Sequence, residues 1–513
     1  MKTPLIWQLE KYFYSDIEDE RFLSDLEMGK KLYKSFKKTY KNLFHTFHTF
    51  YEVLQFYEDY SQMIQILEKP MYYLYYRSMQ DMSDQKIAQK YEEIRIQYEK
   101  YIQGLDFIEA GWVAIGEEKL KKFFQEEKLL PYKNDIKSII RNLPHLKEKI
   151  KKKDKSMKSM NVEKIRVEYQ KVQNSANTDE EKTQQISDLY KKLCLVWQNE
   201  GKEGGYSENP LAVRNIQEQL PDDFVDFFLK VVQKYIPIYQ EFQKNSSESI
   251  EPQKYPLEEI VKKYTQTFSL FEMRKTAKKI LLGGQVDSQV AENKFPGAFT
   301  SYQYNTPSFT LLQYHENISS VFTLVHEMGH ALHGTFSQIQ KAPVYHTPFC
   351  VAETASILSE IFFFDQNFSE NKEAKKYFTN SLFTAIFYQL QITLFEIEAH
   401  KSVKYEKYDF SEIWKKESKK VSGQEGNPNY WTQIGHIFYN PFYCYSYIFG
   451  AISAVSIFLK YKKGEISPEQ IQEFYSLGNS LAPIEILQKY GIDMKNTDTY
   501  EKVFEYLQEI SDM

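Results

Sequence analysis

The densest chemistry in the sequence is Val325-His326-Glu327-Met328-Gly329-His330-Ala331-Leu332-His333, an HExxH pattern within an apolar stretch of helical period. Histidines at i and i+4 leave one face of a helix, so both imidazoles can reach a single Zn²⁺ at ~2.0–2.1 Å. Glu327 sits beside them, toward the side of the ion left open. There it can take a proton from a bound water whose pKa the metal lowers toward ~7. The chain has 10 histidines, and chance would place such a pattern somewhere in a sequence of this kind less than about 3% of the time. The competing reading is a pair of core histidines hydrogen-bonded to their neighbours.

Catalytic zinc takes three protein ligands and leaves a fourth position to water, so a third ligand is expected. His333 lies seven residues from His326, a rise of ~10.5 Å along an intact helix, too far for both to bind one ion. It reads as support for the ligands or as packing. A metzincin arrangement also fails, because it needs glycine and histidine where His333 and Phe336 stand. Downstream, Phe349 to Glu360 forms a second apolar helical stretch with two carboxylates, Glu353 and Glu360, seven apart and on one face. Either could ligate. The preferred division makes Glu353 the ligand and Glu360 the acceptor that orients a histidine, since metal-bound imidazoles donate their other N–H to an oxygen.

The elements that must position these groups are mostly helical. Gly 19 and Pro 17 in 513 residues are few turn-formers for a many-stranded barrel or sandwich. Residues 1 to about 130 interleave aromatic and charged residues at helical spacing, and the helical period returns from Ser319 almost to Met513. Between them, Leu281 to Tyr314 gathers Gly283-Gly284, Pro296-Gly297 and Pro307, and Thr310 to Tyr314 has strand propensity. The expectation is a mainly α chain with one small β-sheet near the metal motif. It divides into an N-terminal helical lobe, 1–195, and a catalytic domain, 196–513. Polar stretches at Lys147 to Lys158, Asn174 to Thr183 and Lys244 to Lys254 read as solvated helix ends or loops.

A net charge of -5 makes no electrostatic case for binding nucleic acid. Gly426 to Leu459 lacks Asp, Glu, Lys and Arg, and its part from Ile437 is long enough to span a bilayer. Its serines and tyrosines suit a helix buried in protein better, so no membrane partner is expected. Three scattered cysteines, Cys194, Cys350 and Cys444, make no disulfide framework and suit a reducing compartment. The N-terminus, Met1 to Glu20, has no secretory pattern, so the expected location is cytoplasmic. His45 and His48, with no acidic ligand pattern near them, read as packing.

A family resemblance joins these pieces. Lys294, Gly297-Ala298-Phe299, Pro307, the Leu324 to His333 segment and Ala352-Glu353-Thr354-Ala355-Ser356 resemble the oligoendopeptidase F branch of the thimet oligopeptidase family. Tyr430 to Gly450, Leu477-Gly478-Asn479-Ser480 and Tyr490 to Met494 are similar to that branch's C-terminal segments. The likeness covers roughly the last three-quarters of the chain. It implies a zinc metallopeptidase of two helical lobes around a deep internal cleft that admits oligopeptides, with one zinc held by His326, His330 and Glu353 and with Glu327 as base. It also implies that His436 and tyrosines among Tyr439 to Tyr447 face the scissile carbonyl. Tyr443 and Tyr447, four apart on one expected helix, could supply phenolic donors to the developing oxyanion; in a chain with 40 tyrosines, packing is the plain alternative. The chain departs from the family in Gly435 where proline is expected, in its shortness, and in an N-terminal 120 residues with little motif likeness.

The expected function is hydrolysis of internal bonds in short peptides, with Ser308 to Tyr314 holding the extended substrate as an added strand. A zinc carboxypeptidase or dipeptidyl carboxypeptidase on the same scaffold is the alternative, and a non-catalytic peptide-binding protein the remoter one.

Overall fold

The computed structural model describes residues 5–153, 162–245, 250–405 and 408–512, with the side chains at 45, 153, 245 and 512 outside the description. It is a mainly helical chain with one three-stranded sheet among the described residues. The elements that bear on the site are, in chain order, α1 (Glu20–Tyr40), α2 (Phe50–Gln80), α3 (Ala212–Gln217), α4 (Ile318–Phe336), α5 (Phe349–Asn367), α6 (Gln389–Lys404) and α7 (Tyr445–Lys462).

The first two of these show local signals at work. α1 begins at Asp19, whose carboxylate accepts from the Arg21 amide, and α2 is entered through a capping box between Thr49 and Glu52. Phe36, Tyr40, Phe44 and Phe56 pack with Trp112 in one aromatic cluster of these N-terminal helices. The lysine-rich run ends the helix Lys133–Lys153, where Lys151 lies 3.0 Å from Glu148. Residues 154–158 of that run, and 246–249 of the Lys244 to Lys254 stretch, lie outside the described residues.

The sheet consists of β1 (Val286–Asp287), β2 (Phe299–Ser301) and β3 (Phe309–Leu311), in the order β1-β3-β2. β3 pairs in parallel with β1 and antiparallel with β2. Its continuation is also committed: the amides of Leu312 and Tyr314 donate to Asp287 O and Ser288 O. Phe309–Leu311, paired on both sides, therefore offers no free edge for a substrate strand, contrary to expectation; β1 and β2 are the edge strands, and beside β1 the Ser288 amide is taken by Leu5 O at 2.9 Å.

A neighbouring lysine and two distant segments pin this sheet. Buried Lys294 donates to Asp287 Oδ1 at 2.6 Å, Gln289 O at 2.8 Å and Leu312 O at 2.7 Å. Gln80, the last residue of α2, donates to the other Asp287 oxygen at 2.8 Å. Trp7, Phe13, Tyr73 and Tyr76 bury Phe309 and Leu311 in a shared aromatic cluster, and the Trp7 indole N–H donates to Gln285 O at 3.0 Å. The N-terminal segment thus forms one wall of the sheet.

The main core runs through α4, α5 and α7 and reaches from Leu211 to Ile510. α7 contains much of the uncharged C-terminal stretch, and buries Tyr445, Ile448, Phe449, Ile452, Val455 and Phe458 among protein side chains. No described helix is long and apolar enough to cross a membrane.

Candidate functional site

α4 starts at Asn317, whose side chain accepts from the Ser320 amide at 2.8 Å, and then runs through the HExxH pattern without a break. The sheet fixes its position. Thr300 of β2 donates its hydroxyl to Glu327 O at 2.8 Å, and Ser308 donates to Ala331 O at 3.0 Å. α5 is joined to it by Ser359, which donates to Val325 O at 2.9 Å. The helices touch through glycines: a Cβ at Gly329 would stand 2.7 Å from Ser356 Cα, and one at Gly450 of α7 would stand 2.8 Å from Glu353 Cβ. α5 is therefore gripped on both sides at the residues that matter.

This close approach yields a first expected result. Gly450→Ala should separate α7 from α5 at Glu353, lower stability by about 1–3 kcal/mol as an overpacked core does, and weaken metal retention in the same variant. Thermal unfolding and chelator competition measure both; an unchanged melting temperature would mean the contact yields without cost.

Among the described residues, His326, His330 and Glu353 are the group whose donor atoms converge, all within 4.8 Å of one another. Glu353 Oε2 lies 3.5 Å from His326 Nε2 and 3.8 Å from His330 Nε2. Two donors of a tetrahedral ion, each at ~2.1 Å, stand about 3.4 Å apart, so the arrangement fits zinc with little adjustment. On its far side, the His326 ring hydrogen-bonds Glu360 through Nδ1 at 2.7 Å. In the neutral imidazole, the form a metal binds, a proton on Nδ1 leaves the Nε2 lone pair on the Glu353 side.

The electrostatics favour a cation here. Burial works against charge on His326, yet its hydrogen bond to Glu360 and the nearby Glu353 and Glu327 push it up to about 9. Burial and the neighbouring His326 hold His330 well below the ordinary imidazole range. Glu327 is pushed up to about 7, chiefly by burial and against the pull of His326. Its Oε2 is buried without a hydrogen-bond partner in the protein. A buried carboxylate oxygen left free beside three convergent donors is placed for a ligand's hydrogen, since such atoms are otherwise satisfied.

The C-terminal donors converge on the same point. Tyr443 donates its hydroxyl to Glu353 Oε1 at 2.5 Å. His436 lies parallel to the Tyr443 ring, centroids 5.7 Å apart, and edge-on to Tyr447 at 6.0 Å, while Tyr443 and Tyr447 are 5.0 Å apart. Burial keeps the His436 imidazole below its ordinary range and, with Glu353 adding to it, holds both phenols protonated. The expected single helix does not form: Tyr443 lies in the bend before α7, Tyr447 in its first turn, and His436 in a separate turn, His436–Tyr439. The break falls at Pro441, which has no N–H to donate, and Phe442, whose φ is 59°.

His333 is a core residue. It is 1% exposed, lies almost parallel to Phe474, and burial lowers it to about 4, so it stays neutral. Cys194, Cys350 and Cys444 are all buried, and burial raises each thiol well above its ordinary range, which makes them inert packing groups. His48 is exposed beside Lys119. Sequence reasoning passed over Glu396, Arg214 and Glu218, three buried ionisable residues around the Tyr443 bend. The signal for Glu396 was the one used for Glu353, an acid within an apolar run, here Leu390 to Ile397.

Comparison with known proteins bears on the family and the fold of the chain. An oligoendopeptidase F homolog of Lactococcus lactis is 29% identical over 271 residues, 49% of this chain and 45% of that protein. The chain spans about half the length of the curated relatives it matches. In fold, it superposes on a protein of Chlamydophila abortus assigned as a peptidase with a TM-score of 0.75 at 18% identity, covering 99% of this chain and 97% of the other. Oligoendopeptidase-F from Enterococcus faecium gives a TM-score of 0.60 at 17% identity, covering 96% and 97%. Residues 249–506, half of the sequence and the part that contains α4, α5, α6 and α7, match Peptidase family M3, and the chain belongs to that family.

Proposed function

We propose that the protein is a zinc-dependent endopeptidase that hydrolyses internal bonds of short peptides. The observation that carries this reading is the free Glu327 Oε2 beside donors spaced 3.5 and 3.8 Å apart around Glu353. Family membership and the names of the Lactococcus lactis relatives support it.

A zinc ion held by His326, His330 and Glu353 supplies Lewis-acid polarisation of the scissile carbonyl and an acidified water. The chain's own groups do the rest. Glu327 takes the proton of the attacking water on Oε2 and passes it to the departing amine. Its raised proton affinity suits a group that must both accept and release. Tyr447 and neutral His436, joined by Tyr443 when its hydroxyl turns from Glu353, supply hydrogen-bond donors to the carbonyl oxygen as charge grows there. Glu360 holds His326 in the tautomer that presents Nε2. The outer edge of β2, tied to Glu327 through Thr300, is suited to pair with an extended substrate.

On this reading 196–513 forms the catalytic domain and 1–195 an N-terminal helical lobe, with oligopeptides as substrates. Three free, inert cysteines fit a cytoplasmic enzyme.

Peptides of about 8 to 20 residues, acetylated and amidated at their ends, separate an endopeptidase from an exopeptidase because they offer no free terminus to recognise. Mass spectrometry of the digest should show internal cuts. Cleavage restricted to peptides with a free C-terminal carboxylate would place the activity with carboxypeptidases or dipeptidyl carboxypeptidases instead.

A further inference from the structure

The bend that delivers Tyr443 does not hold itself. Pro441 fixes one φ angle and donates nothing, and Phe442 is buried with φ at 59°, a conformation that bulky residues adopt only under constraint. Two buried ionisable side chains supply the constraint. Glu396 of α6 accepts the Phe442 amide on Oε1 at 2.8 Å. Arg214 of α3 donates Nε–H to Pro441 O at 3.0 Å, and its guanidinium lies 4.0 Å from Glu218. Glu218 in turn accepts the Cys350 amide at 2.9 Å, in the first turn of the helix that carries Glu353. The two partners of the Tyr443–Glu353 hydrogen bond are thus fastened to one another through Arg214 and Glu218.

Nothing in core packing asks for a carboxyl at Glu396. It is 0% exposed, and its second oxygen has no partner in the protein. An apolar side chain of the same length would fill the space without that desolvation, so the carboxyl is retained for what it accepts. Burial pushes it up to about 8 against the pull of the Phe442 amide and Arg214, so near neutral pH it is largely uncharged and acts as a carbonyl-like acceptor. Its geometric equivalent is therefore glutamine.

We propose that Glu396 is a positioning residue for the reaction: by accepting the Phe442 amide it holds the Pro441–Phe442 bend and sets the Tyr443 hydroxyl against Glu353, with Arg214 bracing the same bend. This rests on the role of Tyr443 given above. Displacing a donor by about an ångström costs on the order of 100-fold in rate, so a loosened bend affects turnover before it affects substrate binding.

The test compares Glu396→Gln with Glu396→Met in the full-length, zinc-loaded protein. Glu396→Gln keeps the acceptor and should retain kcat within about threefold. Glu396→Met removes it and should lower kcat by about 10- to 100-fold, with KM and bound zinc unchanged. Added to Tyr443→Phe, it should cost less than a further twofold, because both changes remove one function. Arg214→Lys, which keeps a cation beside Glu218 but loses the Nε–H donor, should repeat the pattern and serves if the methionine variant does not fold.

Wild-type kcat in zinc-loaded Glu396→Met, or a loss that multiplies in full on Tyr443→Phe, overturns the assignment. Amide hydrogen exchange at Phe442 gives a readout independent of turnover: it should quicken in Glu396→Met and not in Glu396→Gln. If the wild type leaves every peptide whole, the functional reading falls by itself, and equal exchange in all three proteins would remove the clamp as well.

Discussion

Glu327→Gln is expected to reduce turnover of a blocked peptide by about 10²–10⁴-fold, the range of a lost general base, while leaving one equivalent of bound metal. Glutamine keeps the volume of the side chain and its place on α4, between the two ligand histidines, so the donor set is undisturbed. It lacks the lone proton-accepting oxygen that the wild type holds free at Oε2. Substrate binding does not depend on that proton transfer, so KM should move little while kcat collapses. Metal content and steady-state kinetics on the same preparation make the comparison. Retained activity would remove Glu327 from the mechanism, whereas loss of metal together with activity would show it to be part of the binding set.

Tyr443→Phe should lower kcat by about 10²–10³-fold, the usual cost of deleting one oxyanion donor. The hydroxyl lies 2.5 Å from Glu353 Oε1, so it is within reach of whatever binds to the same three side chains. It is also a phenol kept protonated by burial and by Glu353, which makes it a donor throughout the neutral range. Deleting it removes an interaction that strengthens as charge develops, so the loss should appear in kcat with KM nearly constant. The same change in Tyr447 should cost less, since Tyr443 and not Tyr447 carries the hydrogen bond to Glu353. Equal losses in the two variants would place both rings at the carbonyl.

What could be read from the sequence was local. His326 and His330 share a helix face by spacing alone, and Glu353 and Glu360 stand out because acids in an apolar run need partners. Their assembly into one site needs only two helices crossing, which Gly329 permits. What could not be read depended on strand pairing and on contacts between distant segments. β3 is a central strand because β1 and β2 of the same segment flank it, and propensity at Thr310 to Tyr314 is blind to the order in which strands pair. The packing of Trp7 and Phe13 on the sheet joins segments almost 300 residues apart. Tyr443 and Tyr447 have the spacing of a helix pair, yet the bend at Phe442 overrides it, held by Glu396 and Arg214 from elsewhere in the fold.

The functional reading turns on a single metal bound by His326, His330 and Glu353. The most direct measurement is to strip the protein with a chelator and titrate it with zinc while following cleavage of an end-blocked peptide. Activity should be absent at the start, rise in proportion to added zinc and level off at about one equivalent per chain. Cleavage that persists in the stripped protein, or that stays absent after one equivalent has bound, would contradict the account.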